Sequence, residues 1–338
     1  MSPVRLPSVP PAPYFPFENG RYEVKAGLLQ LGRHAVHGRV ETHVFAFDRE
    51  YGAYVTAKVE SRSRGLHRYY QQAALAPDLR RAVLERMLHQ LTVDSDTNLA
   101  WDGVVFRNPW LGWEAVLDTG RGTVERVRRF DAPLAHVVKD VTPVDALDFL
   151  GINVQEDFAV VAREHGTHED YLAALHVLFP QHWDPRDKIG RSFGPVHAPV
   201  AGSAPMISTA PRLVQAVIEK GPFLRFAWGV ATSDRLDHHP ASPVDDDRAG
   251  LAFAPDRTFV RVERQTLVGF PDQQGAFFTI RPYVYPLLDV ARDRARREQL
   301  ADAVASMTDE HLQYKGMRAL RDPLLAWLRC GVERHATH

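Results

Sequence analysis

Three runs of alternating residues in the second half of the chain restrict its fold more than any other feature. FLRFAWGVA (223–231) places Leu224, Phe226, Trp228 and Val230 on one side. RTFVRVERQTLVGF (257–270) sets Val260, Val262 and Arg264 against Arg261, Glu263 and Gln265. GAFFTIRPYVYPL (275–287) aligns Phe277, Thr279, Arg281 and Tyr283. A period of two belongs to strands, whose successive side chains leave opposite faces. PDQQG (271–275) supplies the turn between the last two runs. These runs predict three antiparallel strands.

Upstream, FAVVAREHGTHEDYLAALHVLFP (158–180) alternates on both sides of a polar turn and reads as a β-hairpin. PMISTAPRLVQAVIEK (205–220) predicts a helix beginning after Thr209 or Ala210, with Pro211 early in it. The order is hairpin, helical middle, then three strands. That order defines an α+β class and resembles a PAS-like module with an antiparallel sheet core.

From Pro77, Leu79, Val83, Met87, Leu88 and Leu91 fall on one helical face. Six prolines make residues 1–20 an extended arm, with Tyr14, Phe15 and Phe17 able to dock on the body. Trp101, Trp110 and Trp113 crowd a segment read as irregular, and aromatic density of this kind means core packing. The tail, 288–332, reads as helices interrupted at Thr308 and at Asp322-Pro323. The loop 232–256, rich in Asp, Pro and His, reads as the most mobile segment, with His238-His239 solvated. The division expected is an arm (1–20), a main domain (21–290) and a helical extension (291–338).

With 338 residues, 45% of them hydrophobic, the chain can bury a sizeable core. A net charge of −1 with interspersed signs gives no reason to expect nucleic acid or an anionic membrane as partner. No apolar run approaches the roughly 18–20 residues of a membrane span. The single cysteine, Cys330, cannot form an internal disulfide or hold an iron–sulfur cluster. A cytoplasmic protein is expected.

No G-x-S-x-G elbow, G-x-G-x-x-G turn or Walker loop is present. Of the sixteen histidines, His34/His37 and His165/His168 form HxxH pairs without the HExxH of a zinc protease. The stretch HWDPRDKIGRSFGPVHAPV (182–200) is more specific. Pro199, two residues after His197, predicts an extended, stiff segment under that imidazole. On the strand 257–270, Arg261, Glu263 and Gln265 share a face. An inward-facing ion there must be paired or used.

LFPQHWDPRDKIGRSFGPVHAPV resembles a signature of the haem-dependent oxidative N-demethylase family. The matching residues are Pro180, Trp183, Pro185, Lys188, Gly190, His197, Pro199 and Val200. RFAWG (225–229) and VERQTLVGFPDQQGAFFTIRPYVYPL (262–287) are similar to two further family blocks, and KAGLLQLG (25–32) is a weaker match. The likeness spans residues 20–290. Ala227, where the family often has Asn, and Ala201, where it often has Pro, depart from the pattern.

The resemblance implies a PAS-like core enclosing haem b, with His197 as the iron ligand and His176 or His182 as alternatives. It implies oxidative N-demethylation of a small methylated amine, with O₂ as co-substrate and formaldehyde released. Electrons would come from a separate reductase carrying flavin and an iron–sulfur cluster. Lys188, Arg191, Arg225, Arg264 and Arg281 are the candidate cofactor-binding cations, since arginine meets carboxylates such as haem propionates in bidentate fashion. Glu263 and Trp228 are the catalytic candidates, as partners for an ammonium. The alternatives are a non-catalytic haem-binding sensor or carrier, and a haem-free protein using the same cavity.

Overall fold

The computed structural model describes residues 4–36, 38–96, 98–242 and 252–330. From the N-terminus, β1 (Leu29–Gln30) precedes a small hairpin, β2 (Ala35–Val36) and β3 (Arg39–Val40). Next come α1 (Tyr51–Ser63), β4 (Tyr70–Gln72) and α2 (Pro77–Asp94). A meander follows, made of β5 (Ala100–Trp101), β6 (Val105–Asn108), β7 (Trp113–Asp118) and β8 (Thr123–Arg129). Short helices α3 (Ala135–Val138) and α4 (Ala146–Ile152) lead into β9 (Asp157–Arg163) and β10 (Asp170–His176). Then α5 (Phe193–His197), α6 (Ala204–Ser208) and α7 (Ala210–Lys220) connect to β11 (Phe223–Ala231), β12 (Phe259–Phe270) and β13 (Gly275–Pro286). The C-terminal helices are α8 (Leu287–Ala291), α9 (Arg294–Ala305), α10 (Asp309–Tyr314) and α11 (Arg321–Cys330).

The main sheet is antiparallel with strand order β1-β11-β12-β13-β9-β10-β4. The expected hairpin and the three later strands therefore form one surface, joined where β13 pairs with β9. Register decides what each face carries, because directly opposed residues project to the same side. Arg264 opposes Phe226 and Arg281, and Val262 opposes Trp228 and Tyr283. Glu263 opposes Ala227 and Pro282, while Gln265 opposes Arg225 and Ile280. Arg264 and Arg281 thus stand on one face, and Arg225, Glu263 and Gln265 on the other.

The first face is covered by two apolar clusters. One joins Phe158, Val160 and Phe277 to Val55, Leu84, Met87, Leu88 and Phe149 on α1, α2 and α4. The other joins Trp228, Val262 and Tyr283 to Leu300, Val304 and Leu325 of the C-terminal helices and to Tyr14, Phe15 and Phe17 of the arm. The proline-rich arm docks as its aromatics suggest.

Two expectations are corrected. The tryptophan-rich segment is not irregular: it forms β5–β7 of a separate four-stranded sheet, with Trp110 and Trp113 in the core as expected. Asp322-Pro323 does not interrupt the tail but lies in the first turn of α11. Proline is harmless there because first-turn N–H groups have no partner within the helix. Thr308 does mark a break, as N-cap of α10 in a capping box with His311. The loop 232–256 falls in part outside the described residues.

Phe17 is fully buried against Trp228, with ring centroids 5.1 Å apart. Phe17→Ala should lower unfolding free energy by about 3–5 kcal/mol, measured by urea denaturation. A loss below about 1 kcal/mol would show that the arm is not part of the folded core.

Candidate functional site

The second face of the sheet looks into a cavity of about 1180 Å³. Common small-molecule pockets span roughly 300–1,000 Å³. Its floor is the sheet, where Ala159, Val161, Leu267, Phe278 and Ile280 are apolar and Arg225, Glu263 and Gln265 are polar. The opposite wall is the segment from Gln181 to Met206, with Val214, Val217 and Ile218 of α7. Residues from both flanking pieces of the chain also line it: Pro16 and Asn19 from the arm, and Tyr314 and Lys315 from the C-terminal helical region.

His197 lies on that opposite wall, at the end of α5. The expected extended segment is instead a short helix, and Ala198 keeps a helical conformation despite Pro199. Three groups outweigh the proline's preference. Asp170 Oδ2 accepts the Phe193 N–H at 2.7 Å, holding the start of the helix. Pro195 occupies the first turn, where its missing N–H costs nothing. Lys188 Nζ donates to the Val196 carbonyl at 2.8 Å, bracing the end.

The imidazole is oriented by the same turn. His197 Nδ1 lies 2.8 Å from the Phe193 carbonyl, and its ring stacks on Phe193 at 4.0 Å. A carbonyl can only accept, so Nδ1 carries the proton and Nε2 keeps a lone pair. Burial pulls the His197 pKa down to about 4, helped by the charges of Arg225 and Lys188 and opposed by the bond to Phe193. The ring is therefore a neutral, oriented donor. Sequence reasoning missed the Phe193 carbonyl and the Asp170 cap, although the four-residue spacing of Phe193 and His197 could have pointed to the first.

Of the other residues singled out, Lys188, Arg191, Arg225, Glu263 and Trp228 also line the cavity. Trp228 does so only at its border. Its ring packs against Phe17 and Tyr22, at 5.1 and 5.5 Å, on the other side of the sheet from Glu263. Glu263 accepts a hydrogen bond from Gln265 Nε2 at 2.9 Å. Burial lowers the pKa of Arg225, and the charge of Glu263 opposes that shift. Lys188 is also lowered, by burial and then by Arg191.

Arg264 and Arg281 do not reach this cavity, which corrects their assignment as cofactor-binding cations. The register turns them to the core face, where both are fully buried. Arg264 holds the His43 and Val44 carbonyls and Glu41, the last at 3.2 Å. Arg281 donates to Asp48 at 2.6 Å and to the Ala46 carbonyl, and lies 4.5 Å from the centre of the Tyr283 ring. Together they clamp residues 41–48 across the sheet.

The remaining histidines sort by geometry. His176 also faces the core, stacked on Phe158 with Nε2 at 3.2 Å from Asp148, so it is no alternative ligand for this cavity. His182 does line the cavity. His238 and His239 are completely buried, against the expectation of a solvated pair. Their loop is drawn inward by Asp237, whose Oδ2 accepts from Ser61, Arg64 and Tyr69 at 3.0, 2.7 and 2.8 Å. His165 and His168 are exposed, and His37 lies outside the described residues. Among the described residues no three His, Cys, Asp or Glu could hold a bare metal ion.

One family model matches residues 38–325 and describes a haem-dependent oxidative N-demethylase, alpha subunit-like. The chain belongs to that family. Haem dependence and an oxidative N-demethylase-like function follow from the family's name.

The residues present fit a haem. A porphyrin supplies the equatorial nitrogens of its iron, so one neutral imidazole with a free Nε2 suffices. The cavity adds apolar surface for the macrocycle and cations for its carboxylates.

Because Arg281 offsets a buried Asp48, Arg281→Met should cost about 3–5 kcal/mol of stability without changing haem content at a permissive temperature. Loss of haem without loss of stability would return Arg281 to the cofactor site. Chemical denaturation and the haem-to-protein ratio measure the two effects.

Proposed function

We propose that the protein is the haem-bearing monooxygenase component of an N-demethylase. It would act on a small methylated amine with O₂ and release formaldehyde. The observation that carries this reading is His197: an imidazole, its tautomer set by the Phe193 carbonyl, on the wall of a large and largely apolar cavity. In this reading His197 Nε2 ligates the iron of haem b, and Lys188 and Arg191 on the same wall meet the propionates. Haem, when bound, supplies the oxygen chemistry.

Glu263 would hold the substrate's ammonium by a charge-assisted hydrogen bond. Gln265 fixes one oxygen of that carboxylate and leaves the other for the ligand. The apolar floor around it excludes water and strengthens that attraction. Trp228, turned to the arm, would support the floor rather than touch the amine. Electrons would come from a separate reductase with flavin and an iron–sulfur cluster, since this chain shows no binding motif for a flavin or dinucleotide. The PAS-like description is supported by the return of β13 beside β9, which closes the hairpin and the three later strands into one sheet. A cytoplasmic location suits the single cysteine. No helix among the described residues is long and apolar enough to cross a membrane.

The first test is the visible spectrum of haem-replete protein, wild type beside His197→Ala. A Soret band that vanishes or shifts in the variant supports the reading. A colourless wild type would overturn it, and a band unchanged by the substitution would move the ligand to His182. Formaldehyde release from dimethylamine with reductant and O₂ then separates an enzyme from a haem carrier.

The low pKa of His197 adds a pH signature in the haem-free protein. Burial holds the ring neutral down to about pH 4, so its imidazole resonances should titrate near that value by NMR. A midpoint near 6.5, the ordinary imidazole value, would show that the ring is not desolvated as described.

A further inference from the structure

Arg225 and Glu263 project from the same face on neighbouring strands, yet they do not pair. Arg225 opposes Gln265, so Glu263, two residues along β12, is its diagonal neighbour. Such diagonal positions lie about 7–8 Å apart, within reach of long side chains. Among the described residues the two groups form no ion pair. Arg225 makes one long hydrogen bond, 3.4 Å from Nη2 to the Lys25 carbonyl, and its Nε is shut from solvent without a partner. Glu263 is held at Oε2 by Gln265, which leaves Oε1 open.

Opposite charges facing one partly desolvated space should collapse together or be compensated by something between them. A ligand carrying both complementary charges compensates both at once. We propose that the substrate is a zwitterion, an N-methylated amino acid whose ammonium meets Glu263 and whose carboxylate meets Arg225. This rests on the N-demethylase reading of the same cavity and narrows its substrate class.

Two further observations favour it. Lys188 and Arg191 stand on the wall of His197 and can serve the haem carboxylates, and the floor's other guanidinium, Arg261, donates to the Leu236 and Phe179 carbonyls, which leaves Arg225 for another anion. Trp228 turns its ring to the far side of the sheet, so no indole face meets a cation beside Glu263. Recognition then depends on an N–H donated to the carboxylate. That requirement admits secondary and tertiary ammonium groups and disfavours quaternary ones.

The test uses haem-loaded full-length protein and follows the Soret band during titration. The probes are N,N-dimethylglycine, dimethylamine and trimethylglycine. Wild type should bind dimethylglycine about ten- to a hundredfold more tightly than dimethylamine, the span of one charged hydrogen-bond partner. It should bind trimethylglycine at least about tenfold more weakly than dimethylglycine. Arg225→Leu should bring the dimethylglycine-to-dimethylamine ratio close to one while the haem-to-protein ratio stays at the wild-type level. Arg225→Lys, which keeps the charge without the fork, should retain part of the preference.

Loss of haem from both variants would show that Arg225 holds a propionate, and would overturn the proposal. Equal or tighter binding of dimethylamine by wild type would overturn it while leaving the N-demethylase reading intact. No response to any amine in haem-loaded protein would overturn both.

Discussion

Burying a charge costs several kcal/mol unless a partner compensates it, and strand β12 carries charges on both faces. Arg264 points to the core and Glu263 to the cavity, one residue apart. A slip of one residue would exchange them and strand both. The pairing with β11 and β13 prevents this by placing Phe226, Val262 and Tyr283 on the core side with Arg264 and Arg281. On that side the two guanidinium groups are satisfied by backbone carbonyls and carboxylates of residues 41–48. Locking the register in this way leaves Arg225, Glu263 and Gln265 facing the cavity as a fixed polar array.

The opposite wall solves a different problem. It must present one neutral imidazole at a set angle from a chain too short for a long helix. Lys188, Asp170 and the Phe193 carbonyl do so through three local hydrogen bonds. The rigidity first attributed to proline therefore comes from side chains at both ends of a single helical turn. The arm and the C-terminal helices complete the enclosure, so the cavity draws on the start of the chain as well as on its second half.

Much of this was legible in the alternation of residues. The hairpin at 158–180, the helix from Pro77 and the three later strands follow from periodicity, which local sterics and burial impose directly. His197, Lys188 and Arg191 could be singled out because they fall in one contiguous signature. Arg264 and Arg281 were misplaced although their strands put them in phase with Val262 and Tyr283. A buried arginine on an apolar face reads as functional until its partners are seen, and those partners lie more than two hundred residues away in sequence. His238 and His239 were misread for a related reason. A polar loop looks solvated unless something draws it in, and Asp237 does so through residues of α1 and the segment before β4.

By itself the sequence determined the hairpin, the helix from Pro77 and the three later strands with their phase, because backbone sterics and the burial of alternate side chains act over a few residues. It also carried the family signature around His197. Only the tertiary structure decided which arginines are structural and which face the cavity, and that Arg225 and Glu263 lie side by side unpaired. It also decided that the imidazole is held by a helical turn. Those facts depend on which strand lies beside which, and on where distant carbonyls and carboxylates come to rest.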